Sequence, residues 1–430
     1  KNSTIFIQNE KTNYLLKMIS YNKALKILDK SKIKIKSEKV LIKNSLHRIC
    51  SENIYCKLNY PTANNTALDG FAINSKETIK ANKKKKIKFK ILKTFAAGDN
   101  PKIKKIEKYS CIEVMTGTGI RKPFDTIVPY EKSKIITQNK KKYLIIDKRV
   151  KKFKHIRFEG SDFRKKQIII KKGDLIKSSD ILVMKTLGIS SINVKRKLKI
   201  VVFPTGKEIT NKKNISPWEV RNSNGSYITA LSKILPFDII EKKILRDKDE
   251  KKFHQEIKKC IKDEIDIVIT IGGVSAGKYD FVPNIINKYK RKFYFKNSKI
   301  RPGKPILFSK LNYNTAFFGL PGNPVSTVSC FRFFVLPYIF KSIKYIEAKP
   351  IKAKLINRFT KNKNFTRFIK GILKISKKGA LEFQILQGQE SYKIKPLANS
   401  NAWGLFKDGK STFKKGDIID CHTTFGINFF

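Results

Sequence analysis

The sequence predicts a multidomain protein, with a central α/β domain built on a parallel sheet and β-rich regions before and after it. Between about Ile181 and Ile343, short β-branched runs alternate with helical segments, which is typical of a parallel sheet flanked by helices. Outside this range, short alternating strands are broken by glycine and proline, as in small β-domains and barrels. At 430 residues the chain is also too long for one typical core.

The first elements form an N-terminal helix followed by a small β-domain. Ser20 can cap a helix whose apolar residues Ala24, Leu25, Ile27 and Leu28 share one face. The lysine-rich patch Lys83–Lys86 is predicted to be a solvated loop or an edge strand, because lysine discourages edge pairing. The strands predicted in this region are Lys39–Ile42, Ile54–Lys57, Ile87–Phe95 and, at its end, about Tyr143–Asp147.

The central domain is predicted element by element from its alternating pattern. Its strands are Leu198–Phe203, Phe237–Ile244, Asp266–Ile271, Ile306–Phe308 and Ala316–Phe318. Its helices are Asn222–Ile234, Lys252–Ile261, Pro283–Tyr289 and Ser326–Phe340. After about Ala348, the alternating segments Phe368–Ile375 and Leu381–Leu386 predict a small β-barrel or a sandwich.

The charge of the chain is extreme, with 94 Lys and Arg against 34 Asp and Glu and a net charge of +60. Such a charge is typical of nucleic-acid-binding proteins, because cations displace counterions from phosphates. Here the lysines are spread along the whole chain, and no zinc finger or RNA-binding aromatic signature accompanies them. Compositional drift toward residues with A/T-rich codons is therefore the favoured interpretation, and no specific nucleic-acid partner is expected.

Cysteine, histidine and hydropathy patterns place the chain among cytoplasmic, soluble proteins. The six cysteines are scattered without a CxxC pair, so they are expected to be reduced core residues, and the four histidines form no zinc pattern. The N-terminus lacks the apolar region of a signal peptide. The most apolar run, Cys330–Phe340, is too short to span a membrane and contains Arg332 and Pro337.

Four loops of the central domain are predicted to meet at one sheet edge, because the carboxyl ends of parallel strands lie at the same edge. Ligands bind beyond that edge in open α/β sheets. They are Pro204–Glu208, Arg246-Asp247, the segment from Gly272 and Gly273 through Ser275 to Asp280, and Gly319–Ser326. Glu208, Asp247 and Asp280 lie on three of these loops, and converging carboxylates are most easily tolerated around a divalent cation such as Mg²⁺. A helix cap, a surface acid or an ion-pair partner is the alternative for each acid alone.

Cationic and hydroxyl side chains near these loops predict a site for an oxyanion. Arg301 and Lys304 are separated by a Pro-Gly turn and followed by Pro305, so both cations can point the same way. Further candidates in the last domain are Arg367 or Lys370 and Ser391. In the N-terminal half, Asp69 before Gly70 and Thr116 before Gly117 are by themselves most simply turns.

Taken in order, these segments resemble the molybdopterin molybdenumtransferase family, which completes molybdenum-cofactor synthesis. The resemblance runs from about Ile19 to the end, and ordered motifs with fitting spacing are far more specific than one Gly-Gly loop. The matching stretches are NNTALDGFAI, FAAGDNP, IEVMTGTGIRKPFDTIVPYE, HIRFEGSDF, VVFPTGKEI, VRNSNGSYI, LRD, ITIGGVSAGKYDFV, IRPGKPILF, FGLPGNPVS, GQES and NAW.

The resemblance implies an activity, a domain plan and partners. The activity is insertion of molybdate into adenylylated molybdopterin, with Mg²⁺ and release of AMP, by a homodimer. The implied domains are an elongated, segmented N-terminal domain (15–55 and 150–180), an inserted β-domain (56–149), a MogA-like α/β domain (181–343) and a C-terminal β-barrel (348–430). In such a dimer, the N-terminal motifs of one subunit complete the pocket of the other.

The resemblance also implies roles for individual residues. Active-site positions are matched by Asp69, Thr116, Arg157, Asp162, Glu208, Asp247 and Asp280, with Asp247 and Asp280 as the Mg²⁺ ligands. Oxyanion-holding positions are matched by Arg301, Lys304, Pro305, Ser326, Arg367 or Lys370, and Ser391. Contacts to the pterin phosphate or nucleotide are implied for Asn224, Gly272, Gly273 and Ser275.

The chain departs from the family pattern at several positions, and two other functions remain alternatives. Asn64 and Lys207 stand where the family usually has acids, Glu113 stands where a basic residue is common, and Arg301 replaces a frequent lysine. A molybdopterin adenylyltransferase would share the α/β core, but it would be a short single-domain chain. A catalytically decayed, basic nucleic-acid-binding protein or scaffold is the alternative outside the enzymes.

Overall fold

The computed structural model describes residues 18–233, 235, 237–246, 249–274, 282–289, 293–345 and 349–424. These residues form two compact units. The first unit contains the chain up to Glu52, Lys172–Ile181 and everything from Ser191 onward. The second unit contains Asn53–Lys171 and Leu182–Ser190. The second unit is thus formed by two separate segments of the chain.

The first part of the chain is mostly strand. Ser20 caps its single described α-helix as predicted, since its hydroxyl accepts a hydrogen bond from the Lys23 N–H at 3.3 Å. Short 3₁₀ helices lie at Ile42–Asn44, Ser75–Thr78 and Tyr130–Lys132. The elements are α1 (Tyr21–Lys30), β1 (Ser37–Leu41), β2 (Ile54–Tyr55), β3 (Asn65–Thr66), β4 (Gly70–Ile73), β5 (Ile87–Phe95), β6 (Ser110–Val114), β7 (Thr126–Pro129), β8 (Lys134–Gln138), β9 (Lys141–Ile146), β10 (Ile156–Arg157) and β11 (Ile168–Ile170).

The second part of the chain first alternates strands with helices and then returns to strands. A π-helical turn, Phe331–Val335, separates two of its helices. The elements are α2 (Ser178–Thr186), β12 (Ser191–Lys195), β13 (Leu198–Pro204), β14 (Ile209–Thr210), β15 (Val220–Arg221), α3 (Ser223–Leu231), β16 (Phe237–Glu241), α4 (Glu250–Lys262), β17 (Ile267–Ile271), α5 (Val282–Lys288), β18 (Phe293–Lys296), β19 (Ile300–Arg301), β20 (Leu307–Lys310), β21 (Ala316–Leu320), α6 (Pro324–Cys330), α7 (Leu336–Ile343), β22 (Ile351–Leu355), β23 (Phe359–Thr360), β24 (Thr366–Ile375), β25 (Leu381–Ile385), α8 (Lys395–Ala398), β26 (Ala402–Phe406), β27 (Thr412–Phe413) and β28 (Ile418–Thr423).

The second unit is built on a six-stranded sheet with the order β7-β4-β6-β5-β9-β8. Phe71, Phe89 and Leu144 are fully buried in its core. The patch Lys83–Lys86 is exposed and lies in a bend before β5, which agrees with the predicted solvated loop. The short pairs β3–β10 and β2–β11 join segments before and after this sheet in the sequence.

The central sheet of the first unit has the order β16-β13-β17-β21-β20-β18. Its first four strands are parallel, as predicted, and β13 and β17 are buried at nearly every position. The sheet is nevertheless mixed, because β20 pairs antiparallel with both β21 and β18. The prediction of a parallel arrangement was therefore wrong for β20. The short connection between Lys310 and Ala316 permits a hairpin but no crossover.

The C-terminal strands close into a barrel, which decides between the two architectures that the sequence left open. The ring β24-β25-β22-β28-β26 is completed by pairing of β26 with β24, for example Ile369 opposite Gly404. Phe383 fills the interior, and a Cβ atom at Gly371 or Gly404 would collide with its ring. Glycine at these two positions therefore makes room for the aromatic side chain around which the barrel closes.

All six cysteines are buried and unpaired, as the scattered spacing predicted. Burial raises the pKa of the Cys111 thiol to about 12 and that of the Cys260 thiol to about 11, so the thiolate form is disfavoured in these surroundings. The full set is Cys50, Cys56, Cys111, Cys260, Cys330 and Cys421.

In the part of the chain that the structure describes, no helix is long and apolar enough to cross a membrane.

Candidate functional site

Three of the four predicted loops line one cavity of about 580 Å³ at the carboxyl edge of the central sheet. The loops follow β13, β17 and β21, which are neighbouring parallel strands, so their ends meet at the same edge. We call this space the glycine cavity. Its lining consists of Pro204–Ile209, Val220–Asn224, Ile271–Val274, Pro305 and Pro321–Pro324.

The loops of the glycine cavity are fixed to one another by backbone contacts that require glycine. Gly272 has a φ of +93°, and a Cβ atom there would lie 2.7 Å from Thr205 Oγ1 and 2.8 Å from Thr205 O. The Thr205 hydroxyl in turn donates to Ile271 O at 3.0 Å, and Gly272 N donates to Leu320 O at 2.8 Å. At Gly272 and Gly273 the cavity is thus lined by closely packed backbone that has no side chain.

The beginning of helix α3 supplies polar groups to the glycine cavity. Asn222 caps the helix, because its side-chain oxygen accepts a hydrogen bond from Gly225 N at 3.1 Å. Asn224 donates to Gly322 O at 2.7 Å and so joins α3 to the loop after β21. The first turn of a helix has free N–H groups and the positive end of the helix dipole, which suit a phosphate.

The acidic residues predicted for this edge are only partly placed. Glu208 lines the glycine cavity, where its carboxylate covers Gly206. Arg246 donates to the carbonyl of Gly206 at 3.3 Å and to that of Lys207, so the second predicted loop reaches the same edge. Asp247, Ser275 and Asp280 lie outside the described residues. Among the residues that are described, no group of three or more His, Cys, Asp or Glu side chains could hold a metal ion.

A second cavity of about 570 Å³ adjoins the first and shares Pro305, Pro321 and Asn323 with it. We call it the arginine cavity. Most of the predicted oxyanion-binding residues line it, so the structure brings together segments that are far apart in the sequence. The lining consists of Arg301–Pro305, Pro321, Asn323, Ser326, Arg367 and Gly388–Ser391.

Two guanidinium groups approach each other in the arginine cavity. Arg301 on β19 pairs in register with Arg367 on β24, and the Arg301 guanidinium lies 5.2 Å from the ring centre of Phe365. Arg367 Nε is buried and has no hydrogen-bond partner among the described residues. Burial, with the charge of Arg301, lowers the pKa of Arg367. Two neighbouring cations and an unused buried donor are the features expected where an anion binds.

The structure distinguishes the two cations that the sequence left as alternatives. Arg367 and Lys370 are three residues apart on β24, and positions with odd spacing on a strand face opposite sides. Arg367 lines the arginine cavity, whereas Lys370 is fully buried and does not line it. Ser391 does line it, and its hydroxyl accepts a hydrogen bond from Asn323 Nδ2 at 3.1 Å.

In the second unit, the structure brings Asp69 and Thr116 together. Asp69 Oδ1 accepts hydrogen bonds from the Thr116 hydroxyl at 2.7 Å and from Thr116 N at 2.6 Å. These bonds lower the pKa of the Asp69 carboxyl, with the hydroxyl as the larger cause. Arg157 is exposed on β10, and Asp162 is exposed and donates its N–H to Tyr60 O at 3.1 Å.

The residues that depart from the family pattern in this unit also have defined partners. The side-chain oxygen of Asn64 accepts a hydrogen bond from Glu159 N at 2.9 Å. Glu113 accepts one from the Thr94 hydroxyl at 2.6 Å. The Asn64 side chain therefore stabilises a contact with the backbone at Glu159, and the Glu113 side chain stabilises a contact with Thr94.

Sequence reasoning missed two residues that line the cavities. Arg221 lines the glycine cavity at the end of β15. Two features of the sequence could have indicated it: it precedes the predicted helix in VRNSNGS, and it is an arginine in a chain dominated by lysine. Gln389 lines the arginine cavity and bonds to both backbone groups of Lys370. No local pattern indicates such a bond, because the two residues belong to different elements.

Comparisons with known proteins match the chain over nearly its full length. The MoeA N-terminal region (domain I and II) matches residues 19–188, a probable molybdopterin binding domain matches 201–341, and the MoeA C-terminal region (domain IV) matches 352–423. The solved structure of a molybdopterin biosynthesis MoeA protein from Pyrococcus horikoshii has a TM-score of 0.78 at 24% identity and covers 94% of this chain and 99% of that one. This likeness shows a shared multidomain fold.

Relatives of higher identity carry one name. A molybdopterin molybdenumtransferase from Staphylococcus epidermidis is 31% identical over 417 residues, which are 96% of this chain and 97% of that protein. One from Staphylococcus aureus is 30% identical over 387 residues, 89% of this chain and 90% of that protein. Such coverage disfavours a single-domain adenylyltransferase. With the ordered motifs and the two cavities, it shows that the chain belongs to the molybdopterin molybdenumtransferase family.

Proposed function

We propose that this protein inserts molybdate into adenylylated molybdopterin and releases AMP. The observation that carries the proposal is the adjacency of two different anion-binding cavities in the first unit. The glycine cavity suits a phosphate or nucleotide, and the arginine cavity suits a compact oxyanion. Because the two cavities share lining residues, anions bound in them would lie side by side, as a transfer between them requires.

The glycine cavity is proposed to bind the phosphate-bearing part of the pterin substrate. Its volume of about 580 Å³ lies within the range of small-molecule sites. Gly272 and Gly273 let a phosphate approach the backbone closely, and the first turn of α3, with Asn224, supplies donors. Ser275 follows these glycines closely in the sequence, so we propose it for the same contact.

The arginine cavity is proposed to bind molybdate. Arg301, Lys304 and Arg367 supply positive charge, and guanidinium groups bind oxyanions through two parallel hydrogen bonds. The hydroxyl groups of Ser326 and Ser391 supply neutral hydrogen bonds, and Pro305 lies at the border with the glycine cavity. Holding molybdate here raises its effective concentration beside the pterin dithiolene, and no protein nucleophile is needed.

Glu208, Asp247 and Asp280 are proposed to hold Mg²⁺. The Glu208 carboxylate, at a cavity proposed to bind a phosphate, fits this ion, because Mg²⁺ in phosphate sites is usually held by one or two carboxylates together with the substrate. We propose Asp247 and Asp280 as the further ligands, on the basis of the family motifs. When bound, Mg²⁺ polarises the phosphoanhydride. Glu208 itself orients that end of the substrate through the loop it shares with Gly206.

Asp69, Thr116, Arg157 and Asp162 are proposed to complete an active site in a homodimer. The Thr116 hydroxyl and N–H keep the Asp69 carboxylate ionised and oriented, which supports a role in binding rather than in proton transfer. Light scattering of the purified protein tests the dimer. A monomer with full activity would contradict this part of the proposal.

The proposed reaction is tested by assembly in vitro. Purified protein is mixed with adenylylated molybdopterin, Mg²⁺ and molybdate, and AMP is measured by chromatography. We expect AMP release that requires both the protein and molybdate. Absence of molybdate-dependent release would contradict the proposal. Formation of adenylylated molybdopterin from molybdopterin and ATP would support the adenylyltransferase alternative, and tight, sequence-selective DNA binding without turnover would support the scaffold.

A further inference from the structure

We propose that Lys370 is a positioning residue that builds one wall of the arginine cavity. This inference rests on the proposed function, because it assigns the wall to molybdate binding. Lys370 is fully buried on β24 and does not itself line the cavity. Its effect therefore has to pass through the segment 388–393, which its side chain holds.

The Lys370 ammonium group binds three carbonyl oxygens of that segment. Lys370 Nζ donates to Gly388 O at 2.9 Å, to Lys393 O at 3.2 Å and to Glu390 O at 3.3 Å. An ammonium group has three N–H donors, so the three carbonyls use all of them. These bonds are partly buried, so without the ammonium group the three carbonyl oxygens would lose a charged donor that solvent replaces only in part.

Gln389 adds a second attachment between the same segment and the same residue. Its side-chain oxygen accepts a hydrogen bond from Lys370 N at 3.0 Å, and its Nε2 donates to Lys370 O at 2.9 Å and to Leu386 O at 2.6 Å. The segment is thereby fixed to the barrel from both the side chain and the backbone of Lys370. A loop held by so many bonds has few alternative conformations.

The fixed segment carries the residues that form the cavity wall. Gly388–Ser391 line the arginine cavity. Ser391 O accepts a hydrogen bond from Val325 N at 3.2 Å, and Ser391 Oγ accepts one from Asn323 at 3.1 Å. Glu390 turns its charge toward Lys393, with 3.0 Å between the carboxylate and the ammonium group. If the segment became mobile, the Ser391 hydroxyl would lose its fixed position, and Glu390 would lose its ion pair with Lys393.

The test compares two lysines on the same strand. Lys370→Met keeps the length of the side chain and removes its three donors, whereas Lys374→Met makes the same chemical change at an exposed position that contacts Gln384. For Lys370→Met we expect the KM for molybdate to rise about 10-fold or more, and the KM for adenylylated molybdopterin to stay within about twofold. Lys374→Met is expected to change neither constant.

Hydrogen exchange separates this inference from the proposed function. Amides 388–393 should exchange about 10-fold faster in Lys370→Met than in the wild type, whether or not the enzyme turns over. Exchange like that of the wild type overturns the inference, and so does faster exchange with an unchanged KM for molybdate. If the wild type releases no AMP, the proposed function fails, whereas faster exchange of 388–393 in Lys370→Met would still support the role of Lys370 in holding the cavity wall.

A second substitution keeps the inference testable if Lys370→Met does not fold. Lys370→Gln retains two N–H donors on a shorter side chain, so it can satisfy some of the three carbonyls. We expect loop exchange and the KM for molybdate to lie between those of the wild type and those expected for the methionine variant. An unchanged KM for molybdate in a folded Lys370→Gln protein would overturn the inference.

Discussion

The glycine cavity and the arginine cavity share residues but recognise anions by different means. The glycine cavity presents backbone that is fixed by close packing, as at Gly272 against Thr205. The arginine cavity presents charged side chains on two strands, Arg301 and Arg367, beside a separate loop, residues 388–391. Binding in the glycine cavity should therefore be sensitive to shape, because an added atom would collide with the packed backbone. Binding in the arginine cavity should be sensitive to charge and to the order of the loop.

The largest expected effect is that of an added methyl group in the glycine cavity. In Gly272→Ala, a Cβ atom would meet Thr205 at 2.7 Å and 2.8 Å in a backbone conformation with φ of +93°. We expect molybdate-dependent AMP release to fall about 100-fold or more, because the loop has to move away from the phosphate. The melting temperature should also fall, since such strain costs about 1–3 kcal/mol.

Gly409→Ala is the matched control, because Gly409 has a similar φ of +91° and nothing within 4 Å of the added atom. This variant should have a lower melting temperature because of the same backbone strain, but it should keep the activity of the wild type. Equal activity of the two variants in the AMP assay would show that the close packing of the glycine cavity is unimportant for turnover.

Removing one guanidinium group should affect only the arginine cavity. For Arg367→Met we expect the KM for molybdate to rise about 10- to 100-fold, because a charge-assisted hydrogen bond contributes about 1.5–3 kcal/mol. The KM for adenylylated molybdopterin should change little. Arg358→Met, at an exposed position of the same domain, is the control. Steady-state kinetics with each substrate varied in turn would measure both constants, and equal increases in both would contradict the division of roles.

A smaller effect is expected when the pH is raised through the pKa of Lys370. Burial lowers this pKa to about 8, while Glu390 raises it and Arg367 and Lys393 lower it further. The neutral amine has one N–H donor fewer, so the KM for molybdate should rise about two- to fivefold between pH 7 and pH 9. This added pH dependence should be absent in Lys370→Met, and a profile identical to that of the wild type would contradict its assignment to Lys370.

The same pKa has the opposite consequence for stability. Between about pH 8 and pH 10.5, Lys370 is protonated to a greater extent in the unfolded chain than in the folded chain. Its contribution to the free energy of unfolding therefore rises with pH in this window. The contribution is lost as the pH falls to about 8. Denaturant titrations of the wild type and Lys370→Met would measure the difference. The arginine cavity should thus lose affinity while this residue's contribution to stability increases.

A comparably small effect is expected from the loss of one neutral hydrogen bond. Ser391→Ala removes the acceptor for Asn323 Nδ2 at 3.1 Å. The KM for molybdate should rise about two- to tenfold, because a neutral hydrogen bond contributes about 0.5–1.5 kcal/mol. Molybdate titrations in the AMP assay measure it. A loss as large as that of Arg367→Met would mean that charge does not dominate the arginine cavity.

The fold was predictable where sequence patterns are local. The buried strands β13 and β17 are runs of β-branched and apolar residues, and the cap of α1 is visible as Ser20 before an apolar face. The antiparallel pairing of β20 and β21 was missed, although the short connection between Lys310 and Ala316 permits only a hairpin. Barrel closure depends on the pairing of β24 with β26, which no local pattern indicates. The glycines that make room for Phe383 likewise show no sequence pattern that identifies Phe383 as their neighbour.

The candidate site was predictable to the same extent. The meeting of the loops after β13, β17 and β21 follows from the rule for parallel strands, without any contact being known. The choice of Arg367 over Lys370 requires the direction of each side chain on β24. The assigned roles of Asp69, Thr116, Arg157 and Asp162 stay predictions, since they depend on an assembly that sequence patterns do not describe.

The burial of all six cysteines makes the chain suitable for site-specific labelling. Native thiols that are shielded from solvent react slowly with maleimides. A single cysteine introduced at an exposed position, such as Lys374 or Trp218, would then be the preferred site for a fluorophore or spin label. Energy transfer between labelled copies would test the proposed dimer without removal of any natural cysteine.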